Sequence, residues 1–232
     1  MCAHETADGL VYSILSQDKH TLLEGNASYM EFKKNDKLVD SPSAAYIYRI
    51  QCPNLWDCIG TNIIRQVIRA SQAKNMYRTF SEYVGERVIL TGGIRYHLFP
   101  SPQKVLETPD STYQRMGMSF KKDVLKNAAR FILEHADMLE KIQAPDLLDE
   151  LMKIHRVGNW TARATVADYT NELAIYPYGD AAIRFYAREA LPYHEWPKKE
   201  VAFIQELHKV AGVENMSSSI ATLIMIHEIK RG

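Results

Sequence analysis

The sequence predicts a mainly α-helical protein, with short strands or irregular chain confined to its first fifty residues. Three observations predict it. Apolar residues recur at helical spacing from Leu55 onward, Gly, Pro and Ser punctuate those stretches, and short runs mixing β-branched and aromatic residues fill the segment before them. At 232 residues the chain is long enough for one large domain or two small lobes sharing a core. Residues 1–50 are expected to pack on a helical body formed by residues 51–232, with no internal repeat or long linker.

Taken in order, "LVYSIL" and "AAYIYRI" suit strands, while "KKNDK" and "DSPS" suit turns. "IIRQVIRASQAKNMYRTFSEYVG" reads as one helix with Ile63, Val67, Ala70, Met76, Phe80 and Val84 near one face and Gly85 as its stop. "FPSP" (Phe99 to Pro102) is a connector, and a further helix opens after Ser119. "APDLLDELMKIH" follows, with Pro145 and Asp146 at its first turn. "AAIRFYAREALP" is helical. "WPKKEVAFIQELHKVAG" puts Val201, Ile204, Leu207 and Ala211 on one stripe, and "SSSIATLIMIHEIK" stands behind a serine cap.

Composition narrows the function. The chain is 46% hydrophobic and 24% charged, and no stretch approaches the roughly 18 apolar residues of a membrane span. The N-terminus lacks the apolar core of a signal peptide, so a cytoplasmic protein without membrane contact is expected. Cys2, Cys52 and Cys58 make no Cys-x-x-Cys pair, which argues against a disulfide framework, a zinc site or an iron–sulfur cluster. Net charge is zero, from 28 basic and 28 acidic residues. A nucleic-acid binder would therefore need a locally basic face.

Such a face is present in "LLDELMKIH-RVGNW-TARATVADYT", which reads as helix, tight turn, helix. From Leu151 to Ala167 the chain carries Lys153, His155, Arg156 and Arg163 and no acid. Gly158 supplies a backbone conformation closed to other residues and leaves the turn's amides unobstructed. The N–H groups opening the next helix suit a phosphate oxygen. An ordinary helical corner with solvated charges has the same local pattern.

The order of the segments separates the two readings. Gln66 in an early helix, "FPSP", "GMSFKK" (Gly117 to Lys122), "RVGNWTA" (Arg156 to Ala162) and Asp180, 20 residues beyond Trp160, follow one another as in a known family. Over residues 53–190 the chain resembles the helix-hairpin-helix (HhH-GPD) DNA glycosylases, in particular the 3-methyladenine DNA glycosylase II branch. The resemblance implies two helical lobes, a hairpin at 155–160, and a monomer that acts on double-stranded DNA containing a damaged base. It implies base excision repair without a required cofactor.

By the same resemblance, Asp180 is the catalytic carboxylate, and Trp160 and Gln66 belong to the base pocket. Lys153, Arg156, Val157, Gly158, Asn159, Thr161 and Arg163 meet the DNA backbone. Carbonyls of His155, Val157 and Gly158 are candidates for holding a monovalent cation. Relatives that also cleave the strand carry a lysine at the position of Trp160, so this chain is expected to be monofunctional. An indole also suits a cationic alkylated purine.

Each role has a structural counterpart: Asp180 as a helix N-cap, Trp160 as a core anchor, Gln66 as a solvent-facing side chain. His194 and Trp196 suit either pocket lining or surface packing. Arg156 stands where the family has the first Gly of Gly-x-Gly, and Ala164 where close relatives have a pocket tyrosine. These two departures leave open a non-enzymatic DNA-binding module with a degenerate pocket.

Overall fold

A computed structural model describes residues 2–6, 9–15, 22–23, 29–38, 46–52, 54–89, 93, 95–139 and 141–229. It is mainly α-helical, as the periodicity predicts, with short strands concentrated near the N-terminus. The chain divides into two compact units, Met1–Ala27 with Cys52–Thr165 and Ser28–Gln51 with Val166–Gly232. The first fifty residues are thus shared between the units, where the sequence reading kept them together.

In the first unit, β1 (Cys2–Thr6), β2 (Gly9–Leu15) and β3 (Leu22–Leu23) form an antiparallel sheet in that order. Helix α1 (Leu55–Arg65) starts at Asn54, whose side chain accepts from the Asp57 N–H at 3.2 Å. It buries Trp56, Ile59, Ile63 and Ile64. The single helix expected from Ile63 to Val84 is broken. The chain leaves α1 at Gln66, Val67 takes φ 61°, and α2 (Ala70–Val84) begins after a four-residue turn. Val67, expected on the buried stripe, is fully exposed. The Arg69 N–H donates to Gln72 Oε1 at 3.1 Å, which starts the new helix.

Gly85 ends α2 as expected, and the backbone there leaves no room for a side chain. A β-carbon would lie 1.9 Å from the Leu98 carbonyl. β6 (Arg87–Ile89) and β7 (Arg95–His97) then pair antiparallel. Phe99 of the "FPSP" connector is the hub of an aromatic core with Trp56, Tyr77 and Phe80 at 5.1–5.9 Å. Gly60 makes space for it, since a β-carbon there would come within 2.3 Å of the Phe99 ring. Ser101 caps α3 (Pro102–Glu107), α4 (Asp110–Arg115) follows, and Gly117, at φ 67°, turns the chain into α5 (Ser119–Leu139). α6 (Ala144–Met152), the hairpin and α7 (Asn159–Thr170) complete the path, and the division between units falls inside α7.

The second unit pairs β4 (Tyr29–Lys33) with β5 (Tyr46–Ile50) and carries α8 (Ala181–Ala190), α9 (Glu200–Ala211) and α10 (Met216–Ile229). Buried Asn35 ties the loop after β4 to the C-terminal helices through Ala211 O, Ser219 Oγ and Thr222 Oγ1 at 2.7–3.1 Å. Arg49 of β5 clamps the end of α7 by an ion pair to Asp168 at 2.6 Å and a bond to Ala167 O at 3.1 Å. Two local expectations change. The buried stripe of α9 is Phe203, Leu207 and Ala211, with Val201 exposed. α10 starts at Met216, so its serines lie inside the helix; Ser219 Oγ donates to Asn215 O, four residues back.

Candidate nucleic-acid interface

The hairpin between α6 and α7 alternates anchors with exposed residues. Leu151, Ile154 and Val157 are buried, while Lys153, His155, Arg156, Gly158 and Asn159 are exposed. Bonds from the Ile154 N–H to Leu151 O and from the Val157 N–H to Ile154 O close the turn at 3.2 and 3.0 Å. Gly158 does not take the left-handed conformation expected of it. Arg156 does, at φ 69°. The residue standing in the glycine position of the motif therefore keeps a glycine-like backbone, at a strain of about 1–2 kcal/mol. Gly158 serves another purpose: a β-carbon there would meet no protein atom within 4 Å. Its value lies in leaving a bare backbone on the outer face.

Helix α7 opens immediately after Gly158, and its first intrahelical bond runs from the Ala162 N–H to Gly158 O at 3.0 Å. The N–H groups of Asn159, Trp160 and Thr161 have no intrahelical acceptor and mark the positive end of the helix. The surrounding cations are partly matched by acids. Lys153 Nζ lies 2.5 Å from Glu150, and Arg156 Nη1 lies 3.8 Å from Asp123. Exposed pairs of this kind contribute about 0–1 kcal/mol, so a phosphate can displace them. Arg163 donates from Nε to Asn159 Oδ1 at 2.9 Å.

The remaining assigned residues of this unit lie around the α1–α2 turn. Gln66 Nε2 donates to Thr161 Oγ1 at 2.7 Å and to Arg156 O at 3.4 Å, so the amide braces the hairpin from behind. The Thr161 side chain is buried and faces this brace; its backbone N–H alone belongs to the outward-facing turn. Trp160 is half-buried, and the Arg65 guanidinium lies 5.7 Å from its ring centroid. Ala164 is fully buried.

Four residues were missed by the sequence reading. Val67 and Phe120 are large apolar side chains exposed beside the brace, Lys121 is buried beneath it, and Arg65 covers the indole. Val67 and Ile68 continue the helical stripe of α1, and Lys121 looks like any solvated lysine. Neither pattern reveals these roles, although Phe120 and Lys121 lie within the "GMSFKK" segment.

In the second unit, Asp180 is the N-cap of α8 and its Oδ2 accepts from the Ala182 N–H at 3.1 Å. The bend before it is fixed by the Asp180 N–H bonded to Pro177 O at 2.9 Å. A β-carbon at Gly179 would come within 2.4 Å of the exposed Glu200 side chain, which is flexible enough to move aside. Tyr178 hydroxyl donates to Ala174 O. The carboxylate is thus half-buried on a braced backbone. His194 and Trp196 belong to a packed cluster: their rings meet at 4.6 Å, Trp196 lies tilted against Phe203 at 5.2 Å, and His194 Nε2 lies 3.2 Å from Glu206.

No family model and no curated protein matches the sequence. Solved structures match the fold. A 3-methyladenine DNA glycosylase from Archaeoglobus fulgidus superposes with a TM-score of 0.63 at 16% identity, over 76% of this chain and 59% of that one. The 8-oxoguanine glycosylase/lyase of Clostridium acetobutylicum, in complex with double-stranded DNA containing cytosine opposite 8-oxoguanine, gives 0.59 at 15% identity, over 77% and 61%. The Schizosaccharomyces pombe 3-methyladenine DNA glycosylase, in complex with abasic DNA, gives 0.57 at 16% identity, over 75% and 85%. This chain spans about three fifths of the length of the first two. Its fold is that of the helix-hairpin-helix DNA glycosylases.

Proposed function

We propose that the protein is a monofunctional DNA glycosylase that excises damaged purines, alkylated ones among them, by flipping the nucleotide out of the duplex. The observation that carries this reading is a carboxylate, Asp180, pinned at a helix N-terminus downstream of a hairpin with a bare outward backbone. A pure DNA-binding module has no need of that acid.

The hairpin grips the strand through the N–H groups of α7, with Lys153, Arg156 and Arg163 adding positive charge. Carbonyls of His155 and Val157 accept no hydrogen bond from the described residues, while Gly158 O accepts from Ala162. The first two fit a monovalent cation, which would bring further positive charge to the phosphate. Flipping leaves a gap in the base stack, and apolar side chains fill such gaps. Val67, which follows Gln66 in the chain, and Phe120, which precedes Lys121, are both exposed and suit that task.

As the glycosidic C–N bond breaks, its electron pair leaves with the base and positive charge develops on the deoxyribose. The Asp180 carboxylate opposes that charge and orients water, whose oxygen adds to the anomeric carbon. The products are a free base and an abasic site. Trp160 has no amine to form a Schiff base. Lys121 cannot replace it, since the side chain is buried and its Nζ is bonded to two carbonyls.

The test is base release from duplexes bearing 3-methyladenine, 7-methylguanine, hypoxanthine, ethenoadenine, uracil or 8-oxoguanine, with borohydride added in parallel. Release without a trapped covalent adduct is expected. A trapped adduct contradicts the monofunctional mechanism. Duplex binding without release of any base would favour the non-enzymatic reading, to which Ala164 at a pocket position already points.

A further inference from the structure

Lys121, near the start of α5, is 2% exposed and has no carboxylate partner among the described residues. A lysine normally keeps its ammonium in water. Here Nζ donates to Ile63 O at 2.7 Å and to Gln66 O at 2.8 Å, and lies 5.3 Å from the Phe120 ring centroid. Those two carbonyls close α1 at its negative end, where Ile63 O also accepts from the Gln66 N–H at 3.2 Å. The next residue is Val67, in its left-handed conformation. Burial without a counter-charge lowers the Lys121 pKa from 10.5 to about 8.

We infer that Lys121 is a positioning residue for base flipping, clamping the end of α1 so that Gln66 braces the hairpin and Val67 and Phe120 stand out toward DNA. The catalytic consequence rests on the glycosylase reading; the clamp does not. Packing alone does not account for this lysine. Methionine fills a similar volume without the cost of burying a charge. What the ammonium adds is direction, since it fixes two carbonyls from different points of one turn. That turn carries the brace on one side and the exposed valine on the other.

Lys121→Met removes the charge, and Lys121→Arg keeps a cation with donors for both carbonyls. Both are compared with the native protein for thermal stability, affinity for undamaged duplex, single-turnover base release, and fluorescence of 2-aminopurine placed beside the lesion. The methionine variant should melt within about 4 °C of the native protein and keep most of its affinity for undamaged duplex, because the hairpin retains its own buried anchors Leu151, Ile154 and Val157. Its base release and its 2-aminopurine signal should both fall about tenfold or more. The arginine variant should retain more of each.

A methionine variant with native release and fluorescence overturns the assignment. So does one that loses undamaged-duplex affinity in parallel with rate, because that marks a general structural role. If the native protein releases no base, the glycosylase reading has failed. The fluorescence comparison then still decides the clamp, because unstacking does not require bond cleavage. Should the methionine variant not fold, the arginine variant decides: a fluorescence signal lost in a folded arginine protein contradicts a clamp made by charge.

Discussion

Arg156 occupies a backbone conformation that favours glycine, in an exposed turn with only a 3.8 Å contact to Asp123. Arg156→Gly should relieve about 1–2 kcal/mol of left-handed strain, offset by about 0.5–1 kcal/mol from glycine's greater freedom when unfolded. A small rise in melting temperature should accompany weaker duplex binding, because a cation is lost; a drop in melting temperature would show the strain to be absent. Gly158 behaves in the opposite way. Its outward face is empty, so Gly158→Ala should fold normally and bind damaged and undamaged duplex more weakly alike, measured by titration of both. Selective loss on damaged DNA would move Gly158 from the grip to the pocket.

Arg65 changes what Trp160 can select. The indole was expected to favour a cationic base, but a guanidinium already lies over the ring and repels a second cation. Arg65→Gln should therefore raise excision of cationic 7-methylguanine relative to neutral hypoxanthine by about 2–10-fold, corresponding to roughly 0.5–1.4 kcal/mol. An unchanged ratio in competition assays would place the base away from this ring.

At the scale of elements, the turn between α1 and α2 joins most of the interface. Gln66, Val67 and Lys121 meet there, and none of it was legible as a turn. Ile63, Ile64, Val67 and Ile68 keep helical spacing, with no Gly or Pro to interrupt them. The carbonyl that closes α1, Gln66 O, accepts from a lysine 55 residues away in sequence. The hairpin was legible because its signals are local: a glycine between two helical patterns, with buried anchors at Leu151, Ile154 and Val157. Asp180 was legible as a cap, through the bend before it and the helix after it.

The buried lysine also has a pH signature. Its folded pKa lies below the unfolded value of 10.5, so the charged form weakens the fold below about pH 8, and that cost is relieved as pH rises from 8 to 10.5. Native stability relative to Lys121→Met should increase across that window by about 3 kcal/mol, read from denaturant midpoints at each pH. A constant difference would mean that burial leaves the Lys121 pKa at its unfolded value.

For the whole molecule, zero net charge and a small basic patch predict weak dependence on salt. On the proposed function Lys153, Arg156 and Arg163 would supply about three phosphate contacts, so log affinity should fall against log salt with a slope of about −3. A slope several units steeper would require a second basic surface. Composition could not locate the patch, because the acids balancing it are spread over the chain. The sequence order of motifs could, and the fold agrees with it.

The most direct test of the account is single-turnover base release by Asp180→Asn beside duplex binding by the same protein. The substitution keeps an oxygen to accept the Ala182 N–H and removes the negative charge. The account predicts a rate lower by about 10²–10³ with unchanged affinity for DNA. Native turnover with an asparagine at 180 would contradict it.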